Sequence, residues 1–146
     1  MRKALKNILA VTSITLFGLL VCITVWQVIA RQLIGQPSTW SEEAAKLLFV
    51  WLSFLGSAFL FGERGHIAVD YLARRLPQKL TTVFVQLIIL IFAMVGMVWG
   101  GIVAAGNAWD QNLTALPLTI GWAYVVIPIS GAFIAAFALL DMVKGE

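Results

Sequence analysis

The stretch ILAVTSITLFGLLVCITVWQVIA, Ile8–Ala30, decides how many times this chain crosses a membrane. It carries no charge, and as a helix rising 1.5 Å per residue it reaches about 34 Å. That exceeds a hydrocarbon core of about 30 Å. Arg2, Lys3 and Lys6 in front of it resemble the basic start of a signal peptide, and Val28-Ile29-Ala30 loosely fits a cleavage site. The apolar run is nevertheless longer than the roughly 7–15 residues of a signal-peptide core. We read it as an uncleaved anchor, the first of several spans.

Three more apolar runs follow. Leu47–Gly62 alone would be short, roughly 24 Å, but extended back to Trp40 it can span. Thr39 is then the expected N-cap, with Glu42 three residues later in a capping-box pattern. Gly35 and Pro37 make the preceding connection a turn. The remaining runs are Thr82–Gly106 and Ile120–Leu140. Helices are therefore expected at about 8–30, 40–62, 82–106 and 120–140, in a single membrane domain covering 1–146. Residues 63–80 form the most polar stretch. Within it, Ile67, Tyr71, Leu72 and Leu76, with Arg74 and Arg75 nearby, suggest a short amphipathic segment at about 66–77, lying in the interface plane and ended by Pro77. The fold class that follows is an all-α integral membrane protein with four transmembrane helices and this interfacial segment between helices 2 and 3.

Composition agrees. Of 146 residues, 61% are hydrophobic and 12% charged, where a soluble domain averages about 25% charged. Mean hydropathy is +0.95. The net charge of +3 comes from basic residues at the ends of apolar runs, so it reads as topology and lipid-headgroup contact rather than nucleic-acid binding. Cys22 is the single cysteine and His66 the single histidine. An intrachain disulfide is excluded, and so is a bis-histidine haem within one chain.

Orientation follows from Lys and Arg. The N-terminal segment, the 63–80 loop (Arg64, Arg74, Arg75, Lys79) and the C-terminal Lys144 share one side of a four-span protein and hold eight basic residues. The other side holds Arg31 and Lys46. Both termini are expected in the cytoplasm, with the 31–41 and 107–119 connections in the periplasm. Trp40, Trp109 and Trp122 then sit near periplasmic span ends, as in an aromatic belt.

On the second helix, Glu42, Lys46, Phe49, Ser53, Gly56, Ser57 and Leu60 share one face at 3.6-residue spacing. The third carries Ala93, Gly96, Gly100 and Ala104, and the fourth Tyr124, Pro128, Gly131, Ala135 and Ala138. Small residues at such intervals let helices approach closely. Gly96, Gly100, Pro128 and Gly131 are the expected packing positions, and Pro128 is also a candidate kink. Two uses remain open: packing within the four helices, or docking of some stripes onto another membrane protein. Glu42, Glu43 and Lys46, with Ser53, Gly56 and Ser57, are the candidate subunit interface. For the charged trio, helix-end electrostatics and an i,i+4 pair are the alternative.

Chemistry is absent where a transporter needs it. The middle of every span lacks Asp, Glu, Lys, Arg and His, the residues that mark proton relays and ion paths in membranes. Gln27 and Gln86 lie near helix ends and read as interfacial. No phosphate-binding glycine loop or nucleophile–base set occurs, so the chain reads as no enzyme. His66 and Asp70 stand i,i+4, but two ligands without further Cys or His are poor evidence for metal. With Arg64, Arg74 and Arg75 they are candidate contacts at the cytoplasmic surface.

The block TWSEEAAKLLFVWLSFLG, Thr39–Gly56, resembles the second helix of the small, DctQ-like membrane subunit of tripartite ATP-independent periplasmic (TRAP) transporters. Gly65-His66-Ile67-Ala68-Val69-Asp70 and Leu76-Pro77 continue the match, and Tyr124–Gly131 is similar to that family's closing helix. The resemblance implies a small permease subunit of a sodium-coupled, binding-protein-dependent transporter of organic acids such as sialic acids or dicarboxylates, in a bacterial inner membrane. It implies a large membrane subunit as partner, with sodium and substrate sites there and no cofactor here. This chain would be static scaffold for an elevator motion, with direct contact to the periplasmic binding protein left open. The rival readings are a stand-alone four-helix transporter or channel, and a membrane assembly protein without a transport role.

Overall fold

The computed structural model describes residues 2–35, 38–64 and 78–144. The expected interfacial segment, with His66, Asp70, Arg74 and Arg75, lies outside the described residues. Four helical segments are long and apolar enough to cross a membrane: Arg2–Leu33, Thr39–Glu63, Val83–Asn107 and Gly121–Met142.

The first span is α1 (Arg2–Ile29), which widens into a π-helical turn over Ala30–Ile34. Gly35 stops it at φ 70°, a left-handed conformation that a side chain would resist. The hydroxyls of Thr12, Thr15 and Thr24 donate to the carbonyls of Ile8, Val11 and Leu20 at 2.7–2.8 Å. Each is thereby satisfied inside its own helix, which a low-dielectric surrounding requires.

The second span is α2 (Thr39–Arg64). Its start differs from the expected capping box. The Glu42 N–H donates to the Ser38 carbonyl at 3.3 Å, and the Ser41 hydroxyl donates to that same oxygen at 2.8 Å. Thr39 is therefore already inside the helix. The Glu42 carboxylate does not reach back to a cap; it accepts from Lys46 Nζ at 2.7 Å. A charged partner one turn on outbids a neutral backbone donor.

The third span is continuous but changes its winding: α3 (Gln78–Ile91), a π-helical stretch Phe92–Trp99, then α4 (Gly100–Asn107). The Gly100 N–H reaches back to the Val95 carbonyl, five residues away. The final span is α5 (Gly121–Lys144), which passes through Pro128 without a break.

These helices do not close into a bundle. α1 packs along α2, α2 packs on α5, and α5 packs on the third span, while α1 touches α5 only slightly. The result is an open row with α5 as its hub. A third of the α5 membrane window is buried, against 6% for the first span. Leu9, Leu55, Ala58, Val126 and Phe137 form the core where α1, α2 and α5 meet. Gly62 makes room there, since a Cβ on it would sit 2.9 Å from the Phe137 ring.

Between α5 and the third span the contact is close, but the glycines that permit it are not all the expected ones. A Cβ on Gly101 would lie 2.6 Å from Pro128 Cδ, and one on Gly131 would lie 2.6 Å from Met97 Cβ. Gly131 and Pro128 are thus at the interface. Gly96 and Gly100 are not: a Cβ on Gly96 would meet only its own helix's Phe92 ring, and one on Gly100 only the Val95 carbonyl. The π-helical stretch is the cause. Its hydrogen-bonded ring holds one more residue than an α-turn, so the inward line runs through Ala93, Gly101 and Ala105 and turns Gly96 outward.

Candidate functional site

Two features remain after the core is accounted for. One is a hydrogen-bonded connection at the end of the row where α2 begins. The other is a face of α2 that no other part of the chain covers.

Residues 108–120 join α4 to α5. The chain leaves α4 through a turn in which the Gln111 N–H donates to the Ala108 carbonyl at 3.3 Å. It then folds back as a small hairpin. Asn112 and Thr119 form an antiparallel bridge, the Leu113 N–H donates to the Leu118 carbonyl at 2.9 Å, and the Ile120 N–H donates to the Gln111 carbonyl at 2.8 Å. The tip is held by α2. The Glu43 carboxylate accepts the backbone N–H groups of Thr114, Ala115 and Leu116 at 2.9, 2.9 and 3.0 Å. Glu43 is therefore not a free surface charge like its neighbour Glu42. It shares two shallow clefts with Lys46, of about 420 and 210 Å³, which the hairpin completes through Thr114 and Ala115 in one and Leu113 in the other.

Aromatic residues brace the same end. Trp51 Nε1 donates to the Trp122 carbonyl at 2.9 Å, and the Trp109 and Trp122 rings lie 5.8 Å apart, tilted by 39°. Gly121 lets Trp109 approach, since a Cβ there would be 2.5 Å from its ring. Trp40, Trp109 and Trp122 all keep large exposed areas, in keeping with an interfacial belt.

The face of α2 runs from this end along the span. Phe49, Ser53, Ser57 and Leu60 are exposed, and nothing lies within 4 Å of a Cβ built on Gly56. The helix turns Ser41, Leu55, Ala58 and Gly62 inward instead. Ser53 and Ser57 donate to the carbonyls of Phe49 and Ser53 at 2.8 and 2.7 Å, so neither hydroxyl requires a partner from outside. Of the two uses left open by the sequence, packing within this chain is the one the stripe does not have.

The opposite end holds charge that sequence reasoning did not pair. Asp141 of α5 is buried and forms an ion pair with Arg2 of α1, and Arg2 Nη2 also donates to the Gly62 carbonyl of α2 at 3.0 Å. Lys6 pairs with Glu63 beside it. An acid at the end of an otherwise uncharged run was the available signal, but nothing local points to a partner 139 positions away. Gln86, read as interfacial, is buried.

The site is thus one of structure and contact. The described spans hold no titratable side chain at mid-depth, and the chain presents uncovered helix faces and one anchored loop. That defines a multi-pass helical subunit of a membrane assembly rather than an enzyme. The chain belongs to the DctQ component family of tripartite ATP-independent periplasmic transporters, whose family model matches residues 20–145. It is 29% identical over 136 residues to the sialic acid TRAP transporter small permease protein SiaQ of Vibrio cholerae, covering 91% of this chain and 78% of that one. It is 37% identical over 81 residues to the sialic acid TRAP transporter permease protein SiaT of Haemophilus influenzae, covering 53% of this chain but 12% of that one. The isethionate TRAP transporter permease protein DctMQ of Oleidesulfovibrio alaskensis is 28% identical over 110 residues, covering 72% and 17%. In the last two the region like this chain is a small part of a much longer permease. Members of the family work with a large permease subunit, and the chain is a multi-pass inner-membrane protein.

Proposed function

We propose that this chain is the small permease subunit of a sodium-coupled, binding-protein-dependent transporter of organic acids, and that it packs beside a large subunit as the static scaffold of an elevator. The observation that carries the reading is the outward face of α2. Ser53, Gly56 and Ser57 keep it thin and mildly polar, a surface that another helix can approach closely and that lipid tails favour less. The open row supports it as well, because a row leaves broad faces for a neighbour. Relatives in which a similar stretch is part of a longer permease chain place such a surface beside transport helices by covalent linkage.

An elevator domain must slide against something fixed in the bilayer. Four extra helices beside the large subunit enlarge the fixed part and resist tilting. Sodium and substrate sites are then in the large subunit, consistent with spans that carry no charge at mid-depth. The names of SiaQ and SiaT make sialic acids the first substrates to try. Both termini lie in the cytoplasm, as the distribution of Lys and Arg indicates, and the 111–120 hairpin faces the periplasm, on the side of the binding protein.

The deciding experiment reconstitutes the large subunit and binding protein into liposomes with and without this chain and measures sodium-driven sialic acid uptake. Uptake that requires this chain is the expected result. Equal uptake without it refutes the reading. Labelling of single cysteines placed at Gln111 and at Lys3 from either side of the membrane tests the orientation.

A further inference from the structure

An ionised carboxylate is an acceptor only, with two oxygens and about four lone-pair directions. Glu43 directs both oxygens to one target, three successive backbone N–H groups of the hairpin tip. Successive N–H groups converging on one point form a nest, a concavity that binds anions. Pro117 follows directly and has no N–H to add. The base of the hairpin is closed by its own bonds. Among the described residues, Glu43 is the only side chain of α2 that hydrogen-bonds the tip. Glu42 cannot substitute for it, because its carboxylate is turned to Lys46.

We propose that Glu43 is a positioning residue for transport: a built-in anion that fills the Thr114–Leu116 nest and so sets the pose of the hairpin over the start of α2. This rests on the permease-subunit reading above. The pose matters because the hairpin supplies one wall of both clefts beside Lys46. If the tip lifts, those clefts lose a wall and the surface presented at that end changes shape. Tethering the anion to α2 gives the nest a high effective concentration of ligand, so the tip stays down without help from a solute. The same argument makes the contact replaceable by a small free carboxylate once the side chain is gone.

The test uses the complete complex of this chain, large subunit and binding protein in liposomes, with Glu43→Ala and Glu43→Gln. Sodium-driven uptake and amide hydrogen exchange at residues 114–116 are measured with and without formate as the probe. In Glu43→Ala the three amides should exchange about tenfold faster or more, as expected for lost charge-assisted hydrogen bonds, and uptake should fall. Formate should restore both protection and uptake in this variant and leave the wild-type complex unchanged. Uptake that stays at the wild-type rate while the amides are released overturns the proposal. So does formate that restores protection but not uptake. Failure of both variants to assemble would make Glu43 a folding residue and would also overturn it. A complex lacking this chain that transports at the full rate refutes the permease reading itself, whatever the variants do.

Discussion

Replacing Asp141 with Asn removes one partner of a buried charge pair and leaves the other in place. Asp141 is 2% exposed, and the Arg2 side chain it faces is 19% exposed. Losing one member of a buried pair typically costs about 3–5 kcal/mol, because the remaining charge is uncompensated. Two features reduce that figure here. Arg2 keeps its bond to the Gly62 carbonyl at 3.0 Å, and its long side chain can move toward water at the membrane surface. A loss of about 2–3 kcal/mol is therefore expected, roughly a 30- to 150-fold shift in the folding equilibrium at 1.4 kcal/mol per tenfold. The measurement is reversible unfolding of the purified chain in mixed micelles titrated with a denaturing detergent. The companion is Arg2→Met with Asp141→Leu, which removes both charges and keeps apolar volume. That double variant should recover to within about 1 kcal/mol of the parent, since buried pairs are seldom better than well-packed apolar groups. A loss under about 0.5 kcal/mol for Asp141→Asn, the range of ordinary surface changes, would refute the reasoning. A double variant as unstable as the single one would refute it too.

Gly101→Ala should destabilise the same unfolding equilibrium by about 1–3 kcal/mol, the usual range for overpacking, because its Cβ would sit 2.6 Å from Pro128 Cδ. Gly96→Ala, whose Cβ meets only the Phe92 ring at 3.4 Å, should be neutral or gain slightly from helix propensity; the reverse order would show that the π-helical stretch does not set the inward line. Ser57→Leu should leave the isolated chain as stable as before yet sharply reduce recovery of the large subunit in co-purification, and unchanged recovery would assign that face to lipid. Trp51→Phe removes the donor to the Trp122 carbonyl and should cost about 1 kcal/mol, read by unfolding and by a change in Trp122 fluorescence.

Most of the element order was legible because hydropathy needs no partner. Long uncharged runs flanked by basic residues declare spans wherever they occur, and the structure moves their limits by only a few residues over most of their length, the early start of α1 at Arg2 and the start of α3 at Gln78 being the larger exceptions. The outward stripe of α2 was also legible, because that helix keeps α-helical winding along its length and a 3.6-residue period projects correctly. The third span was not, because the π-helical stretch Phe92–Trp99 changes the period inside an apolar run and exchanges Gly100 for Gly101 at the contact. Nothing in a row of Val, Met, Gly and Trp announces a wider turn.

By itself, then, the amino-acid sequence determined the membrane class, the number of spans, their signature as a TRAP small subunit, and the absence of charge at mid-depth. Each of these depends on what a residue is and on its near neighbours. Tertiary structure decided which acids are spent inside the chain: Glu43 on amides 71–73 positions away, and Asp141 on Arg2 at the other terminus. It also decided that the helices form an open row rather than a closed bundle. A hydrogen bond or ion pair joins groups that meet only when distant segments pack, so its partner is written in the geometry of the fold and in no local pattern.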